Sequence, residues 1–315
     1  MTRKTLLWLV LPLVGFGVLF WQLAFAPNQM KGQPELLEMS VILREGDGAA
    51  STMRKGMEQA AADLNVELRF LTPATDNSAA GQTELLEREA AGNVSAIILV
   101  PSDRKTIGDA VMAAAEKTTL VTVESGMAAW GALADVTMNH TALGEAIGTA
   151  ALNGVPCGGV VLLLDSLPGD NGIRERLEAA KALLLREGRQ VRVCRWHAGE
   201  DTLPDLLNIE RPDAVIAFEA SALSGAAAVI EGEKTPPLLY GCGSTPEITD
   251  ALERGRITAI AAVNVFSEGY LAVQVAAEEA ARHEARSEVP VIAFSIVRKE
   301  TMYQSENQKL LFPMT

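Results

Sequence analysis

SAIILVPSDRKTIGDAVMAAAEKTTLVTVES, residues 95–125, decides the fold of this chain. It opens on an apolar run, 95–103, that reads as a fully buried strand. A helix over 105–116 follows, with Asp103 placed to cap it. A second apolar strand, 119–125, closes the unit. A strand, a helix and another strand, with no hairpin turn between them, form a crossover between parallel neighbours.

The same unit recurs on both sides. Toward the N-terminus, strands at 39–46 and 66–73 flank a helix at 51–65 with Ser51 as its cap, and a helix at 78–91 leads back to residue 95. Toward the C-terminus, a short strand at 134–140 and a helix at 141–152 complete a first run. After Gly154-Val155-Pro156 the pattern restarts. Strands are predicted at 158–166, 190–196, 213–220, 237–243 and 257–264, with a terminal strand at 291–299. Helices are predicted at 173–187, 203–209, 221–232, 245–255 and 267–285. The fold class is α/β, with two doubly wound parallel-sheet lobes rather than one large sheet. The expected division is 37–139 plus 264–286 for the first lobe and 140–263 plus 287–310 for the second.

Residues 1–36 read as a membrane anchor and linker. Between residues 6 and 26 there is no charged side chain, and Arg3 and Lys4 precede the run. About 20 apolar residues span a bilayer core as one transmembrane helix, and flanking cations keep the N-terminus inside, which places the body outside the cytoplasm. A cleaved signal peptide is the competing reading, since Ala24-Phe25-Ala26 resembles a cleavage site. The length of the run and Pro27 just beyond that site favour the uncleaved anchor.

Composition narrows the function. The net charge of −13 excludes a nucleic-acid partner, because a phosphate backbone needs a basic footprint. Three cysteines, Cys157, Cys194 and Cys242, are too few for a disulfide scaffold. They are expected as buried free thiols, with a Cys157–Cys194 bridge left open. No HExxH, GxSxG or P-loop motif occurs, so neither an enzyme nor a cofactor is expected.

Four segments carry a family resemblance: RKGMEQAAADLNVEL (54–68), SAIILVPSDRKTIGDAV (95–111), PGDNGIRERLEAAKALL (168–184) and the closing run 241–276. Together they resemble the sugar-type extracytoplasmic solute-binding proteins, the ribose- and galactose-binding group of the type I periplasmic-binding-protein fold. The resemblance implies two lobes joined by a three-strand hinge, with a ligand held between them. It also implies a small polar ligand, a sugar or polyol, delivered to an ABC importer or to a membrane sensor. A docking module that has lost its ligand and partners a membrane histidine kinase is the alternative, motivated by the missing cleft aromatics.

Carried over by position, the resemblance implies a ligand set of Arg44, Asp47, Glu124, Arg174, Glu219 and Asn264. Arg44 and Asp47 lie in the loop after the first strand. Glu124 keeps the acid that follows the fourth strand, while Ser125 stands where the family has a cation. Arg174 keeps the arginine of the second lobe, Glu219 replaces an amide, and Asn264 sits beside Val263 at the last hinge strand. Gly243 stands where the family has an acid. Structural roles stay open for each: Arg174 could pair with Glu178 at helical spacing, and the strand-ending acids could cap helices. Trp130 is expected to pack on its own lobe.

Overall fold

A computed structural model of the chain describes residues 36–44, 48–73, 79–124, 126–167, 170–282, 289 and 291–312. Asp47 and the apolar segment at 6–26 lie outside the described residues. Among those described, no helix is long and apolar enough to cross a membrane.

The first sheet contains β1 (Leu37–Ile42), β2 (Val66–Leu71), β3 (Ala96–Leu99), β4 (Thr119–Val123) and β5 (Ala134–Val136), in the order β2-β1-β3-β4-β5. All its pairs are parallel. The second sheet contains β6 (Val160–Asp165), β7 (Gln190–Arg195), β8 (Ala214–Ala217), β9 (Leu238–Cys242), β10 (Ala259–Val263) and β11 (Phe294–Val297), in the order β11-β10-β9-β8-β6-β7. Its first five strands repeat the winding of the first sheet. The central strands β3, β8 and β10 are buried along their whole length, which is why they read as unbroken apolar runs. One correction concerns direction. β11 runs antiparallel to β10, because α9 lies on the first lobe and the chain after it re-enters the second sheet at the end where β10 leaves, Phe294 standing opposite Val263.

The helices are α1 (Gly48–Leu64), α2 (Ala79–Ala90), α3 (Arg104–Ala115), α4 (His140–Leu152), α5 (Asn171–Arg186), α6 (Leu203–Glu210), α7 (Ala220–Ile230), α8 (Pro246–Glu253), α9 (Val265–Arg282) and α10 (Ser305–Leu311). The sequence reading missed α10 and a single 3-10 turn at Ala128–Trp130. It also started α1 at Ser51, three residues late. As expected, Asp103 caps α3, accepting from the Lys105 amide at 2.9 Å.

Two helices pack against the sheet that does not precede them. α4 follows β5 but lies on α5 and the second sheet, and α9 follows β10 but lies on α1 and the first sheet. The α1–α9 contact is glycine-dependent. A Cβ at Gly56 would stand 2.0 Å from the Phe266 carbonyl oxygen, and one at Gly269 would stand 2.1 Å from that of Met53. The third passage between layers pairs Ile292 with Met138, the Ile292 amide donating to the Thr137 carbonyl at 3.0 Å. One buried cluster runs unbroken from Val41 and Val136 through Met138 and Ile292 to Val161 and Tyr240.

The cysteines correct the expectation of three buried thiols. Cys242 is buried, Cys194 is partly buried and Cys157 is exposed in a turn; all three are free. Burial pushes the Cys242 thiol up to about 11. Trp130 packs on its own lobe, its indole lying where a Cβ at Gly108 would meet it at 2.3 Å.

Candidate functional site

In a doubly wound sheet, loops at the carboxyl ends of the strands converge beside the point where the winding reverses, and ligands bind there. Arg44 lies two residues past β1, Glu124 one past β4, and Asp170 beyond β6 at the start of α5. These three meet between the sheets. Arg44 donates from Nη2 to Glu124 Oε2 at 2.8 Å and from Nη1 to Asp170 Oδ2. Glu124 holds a left-handed backbone, φ +60°, which a residue with a Cβ rarely adopts. Asp170 is fixed from behind, because its Oδ1 caps α5 by accepting from the Ile173 amide at 2.9 Å. Burial alone would raise the Asp170 pKa; the Arg44 charge, the Ile173 amide and Arg176 carry it below its ordinary value instead.

A second group lies against this triad. Arg176 is buried and donates from Nε to His140 Nδ1 at 3.1 Å and from Nη1 to the Phe218 carbonyl at 3.0 Å. A guanidinium can only donate, so Nδ1 accepts and a neutral His140 carries its proton on Nε2. Thr137 Oγ1 stands 3.2 Å from that nitrogen. Burial first, and the Arg176 charge second, lower the His140 pKa to about 4. Glu268, in the first turn of α9, is fully buried, and among the described residues neither carboxylate oxygen has a hydrogen-bond partner. Burial, reinforced by Glu124, raises its pKa well above the ordinary carboxylate range.

Beside these groups a cleft pocket of about 210 Å³ is lined by Glu124, Thr137, Asn139, His140, Thr141 and Glu175, with Arg104 and Gly172 also on its wall. Arg104 also stacks over Trp130, 5.1 Å from the ring centre. Among the described residues no cluster of His, Cys, Asp and Glu could hold a metal ion.

The candidate residues separate here. Arg44 and Glu124 meet at the cleft. Glu219 turns onto its own helix, its carboxylate accepting from the Ser221 and Ala222 amides at 2.7 Å each. Asn264 caps α9, accepting from the Ser267 amide at 2.9 Å. Arg174 is exposed and donates to Asn171, while Glu178 pairs with Lys181 instead.

Asp170, Glu175, Arg176, His140 and Glu268 were missed as site residues. Two of them carried a sequence signal. Arg176 falls on the stripe of Ile173, Leu177, Ala180 and Leu184 that α5 buries. Glu268 falls likewise on the stripe of Ala272 and Val275 that α9 buries. A charge on an apolar stripe marks a buried ionic group.

Two like-wound lobes with charged and polar groups converging in the gap define a two-lobed ligand-binding protein. Residues 41–284 match the family described as the periplasmic binding protein domain, and the chain belongs to it. Membership makes it a binding protein rather than an enzyme.

Solved structures agree in fold. A carbohydrate transporter solute-binding protein from Agrobacterium radiobacter, in complex with D-arabinose, aligns with a TM-score of 0.81 at 19% identity, covering 88% of this chain and 99% of that one. A carbohydrate transporter from Acidothermus cellulolyticus, in complex with myo-inositol, aligns with a TM-score of 0.76 at 18% identity over 88% and 99%. The XylFII-LytSN complex contains a chain aligned with a TM-score of 0.76 at 17% identity over 85% and 99%. At such identities the likeness speaks for the fold alone. No curated protein sequence matches.

Proposed function

We propose that this chain is a membrane-tethered, extracytoplasmic solute-binding protein that captures a small polar ligand, a sugar or polyol, between its lobes. The observation that carries the reading is the pocket itself. Glu124 and Glu175 face it with Asn139, His140 and the hydroxyls of Thr137 and Thr141. Carboxylates accept from hydroxyl groups, and amide and hydroxyl side chains both donate and accept, which suits a polyol. D-Arabinose and myo-inositol in structures of the same fold support that class. Arg174, next to Glu175, is assigned as a donor at the rim. The three passages between lobes 37–139 plus 264–286 and 140–263 plus 287–310 serve as the hinge.

The tether is the apolar segment at 6–26, which holds the body near membrane partners at high effective concentration. The receiver is an ABC importer or a membrane sensor; a complex in the same fold, XylFII-LytSN, supports a protein partner. Thermal-shift screening of the full-length chain with D-arabinose, D-fucose and myo-inositol tests ligand capture. Binding to the native state must raise the midpoint, by RT ln(1 + [L]/Kd) in free energy.

A second reading is favoured by one specific observation. The pocket, at about 210 Å³, falls below the roughly 300–1,000 Å³ of ordinary ligand sites. A chain whose cleft no longer takes a ligand would act as a docking module for a membrane histidine kinase. A flat response to every sugar, together with retained partner binding, would favour it.

A further inference from the structure

Resting on the reading of this cleft as a ligand site, we propose that its ligand is a polyol carrying one cationic amino group, an amino sugar in the simplest case, and that Glu175 is the counter-ion that selects it.

Glu175 reaches the pocket wall from the second turn of α5, and among the described residues nothing pairs with its carboxylate. The cations around it are committed elsewhere. Arg44 is held between Glu124 and Asp170. Arg176 gives its donors to His140 and to the Phe218 carbonyl. Arg104 lies over Trp130, 5.1 Å from the ring centre, and donates to the Gly126 carbonyl at 3.4 Å. Arg174, the preceding residue, turns to Asn171. His140 already faces the Arg176 guanidinium, which opposes a second positive charge on its ring. The helix starts at the wall do not answer Glu175 either. Asn139 caps α4 with its own oxygen, 2.9 Å from the Ala142 amide, and α5 begins on the Asp170 carboxylate.

The pocket therefore offers a ligand neutral hydrogen-bonding groups and one uncompensated negative charge. The Thr137 and Thr141 hydroxyls can donate to and accept from ligand hydroxyls. Among the described residues no aromatic ring lines the wall, so the apolar face of an uncharged sugar finds no stacking surface. A ligand that fills the pocket covers Glu175 and strips water from its carboxylate. A neutral polyol replaces that water with hydroxyl donors alone, and a covered carboxylate without an opposite charge is unfavourable. An ammonium group brings three donors and a charge, and such charge-assisted hydrogen bonds are roughly twice as strong as neutral ones. An anionic ligand would meet the carboxylates of both Glu124 and Glu175 on the wall and is disfavoured by the same reasoning.

Isothermal titration calorimetry on the full-length chain in nanodiscs tests this. D-glucosamine, D-galactosamine and D-mannosamine are set against D-glucose, D-galactose and D-mannose, at a pH that keeps the amines protonated. At least one amino sugar should bind about tenfold or more tightly than its neutral parent. That preference should shrink as salt is raised, and the N-acetyl derivative, uncharged but of the same stereochemistry, should lose it. Glu175→Gln should bring the amino sugar down to the level of its parent. The thermal midpoint of the ligand-free variant should match the wild type, because Glu175 is exposed and among the described residues has no partner that glutamine would lose.

A neutral sugar bound as tightly as its amino counterpart, or more tightly, would overturn the proposal and leave the sugar reading standing. Binding of D-arabinose, D-fucose or myo-inositol without binding of any amino sugar would do the same. An amino-sugar preference that survives Glu175→Gln would also overturn it, by placing the counter-charge elsewhere. No heat from any of these probes would sink the ligand reading itself, and the proposal with it.

Discussion

Glu124 stands one residue past β4 in the first lobe, and Glu219 stands two residues past β8 in the second. Both follow buried apolar strands of sheets wound alike, one the fourth strand of its sheet in chain order and the other the third. Glu219 is followed at once by α7, whose first amides have no partner within the helix, and its carboxylate folds back onto Ser221 and Ala222. After Glu124 the next helical residues among those described are the single 3-10 turn at Ala128–Trp130. Glu124 has no helix beginning at the next residue, and its carboxylate accepts from Arg44. The chain immediately after a strand thus decides whether an acid serves the lobe or the gap. That distinction separates caps from site residues better than residue type does.

The largest expected effect comes from the arginine that holds the β8 end. Arg176 donates to the carbonyl of Phe218, the residue just before Glu219, and to His140 at the passage between lobes. Arg176→Met keeps the volume but leaves that buried carbonyl without its donor. The loss should be about 3 kcal/mol in urea denaturation. A loss below about 1 kcal/mol would mean that the two ends are not joined through this side chain.

At the β4 end the buried acid Glu268 has no hydrogen-bond partner among the described residues. Glu268 has its pKa raised by burial and by Glu124, so the folded chain holds its proton more tightly than the unfolded one. Stability from this group is fully present below the unfolded value, near 4.5, and is lost as pH rises through the folded value. Glu268→Gln removes the titration. Its midpoint should match the wild type near pH 4 and exceed it increasingly toward alkaline pH. Relief of an unsatisfied buried acid is worth about 1–3 kcal/mol once it would be ionised. A pH-independent difference between the two chains would show that Glu268 does not titrate in this way.

The contrast between the two ends also marks what the sequence made legible. The strand and helix pattern was readable because buried parallel strands such as Ala96–Leu99 and Ala214–Ala217 are continuous apolar runs. The direction of β11 was not, since strand propensity carries no information about which way a strand enters a sheet. The site was half readable. Arg44 and Glu124 follow strands directly, so topology places them. Arg174 and Arg176 differ by two positions, and only their angle around α5 separates an exposed side chain from a buried one. Asn264 and Glu219 were polar residues at strand ends, and the helix starts beside them, visible in the sequence, already gave them a cap's work.

A smaller effect tests the contrast directly. Glu219→Ala removes a cap and should cost about 1–2 kcal/mol. Glu124→Ala leaves Arg44 still paired with Asp170 and should cost less than about 1 kcal/mol, as partly exposed ion pairs do. Urea denaturation of both variants gives the comparison. Equal losses would erase the distinction between the acid that serves its lobe and the acid that serves the gap.

The smallest effect on stability belongs to Arg174, and it sharpens the comparison for α5. Arg174 is exposed, and the hydrogen bond it makes is to Asn171 in its own first turn. Arg174→Ala should therefore leave the thermal midpoint unchanged to within about 0.5 kcal/mol. Its assigned role lies in the complex, where it would donate to a ligand hydroxyl at the rim beside Glu175. Calorimetry with whichever of D-arabinose, D-fucose or myo-inositol binds the wild type should show about tenfold weaker binding, the scale of one charge-assisted hydrogen bond. The pairing of results is what discriminates. Weaker binding at unchanged stability places Arg174 on the ligand, whereas unchanged binding leaves it as a surface partner of Asn171 and moves the second lobe's share of recognition to Glu175.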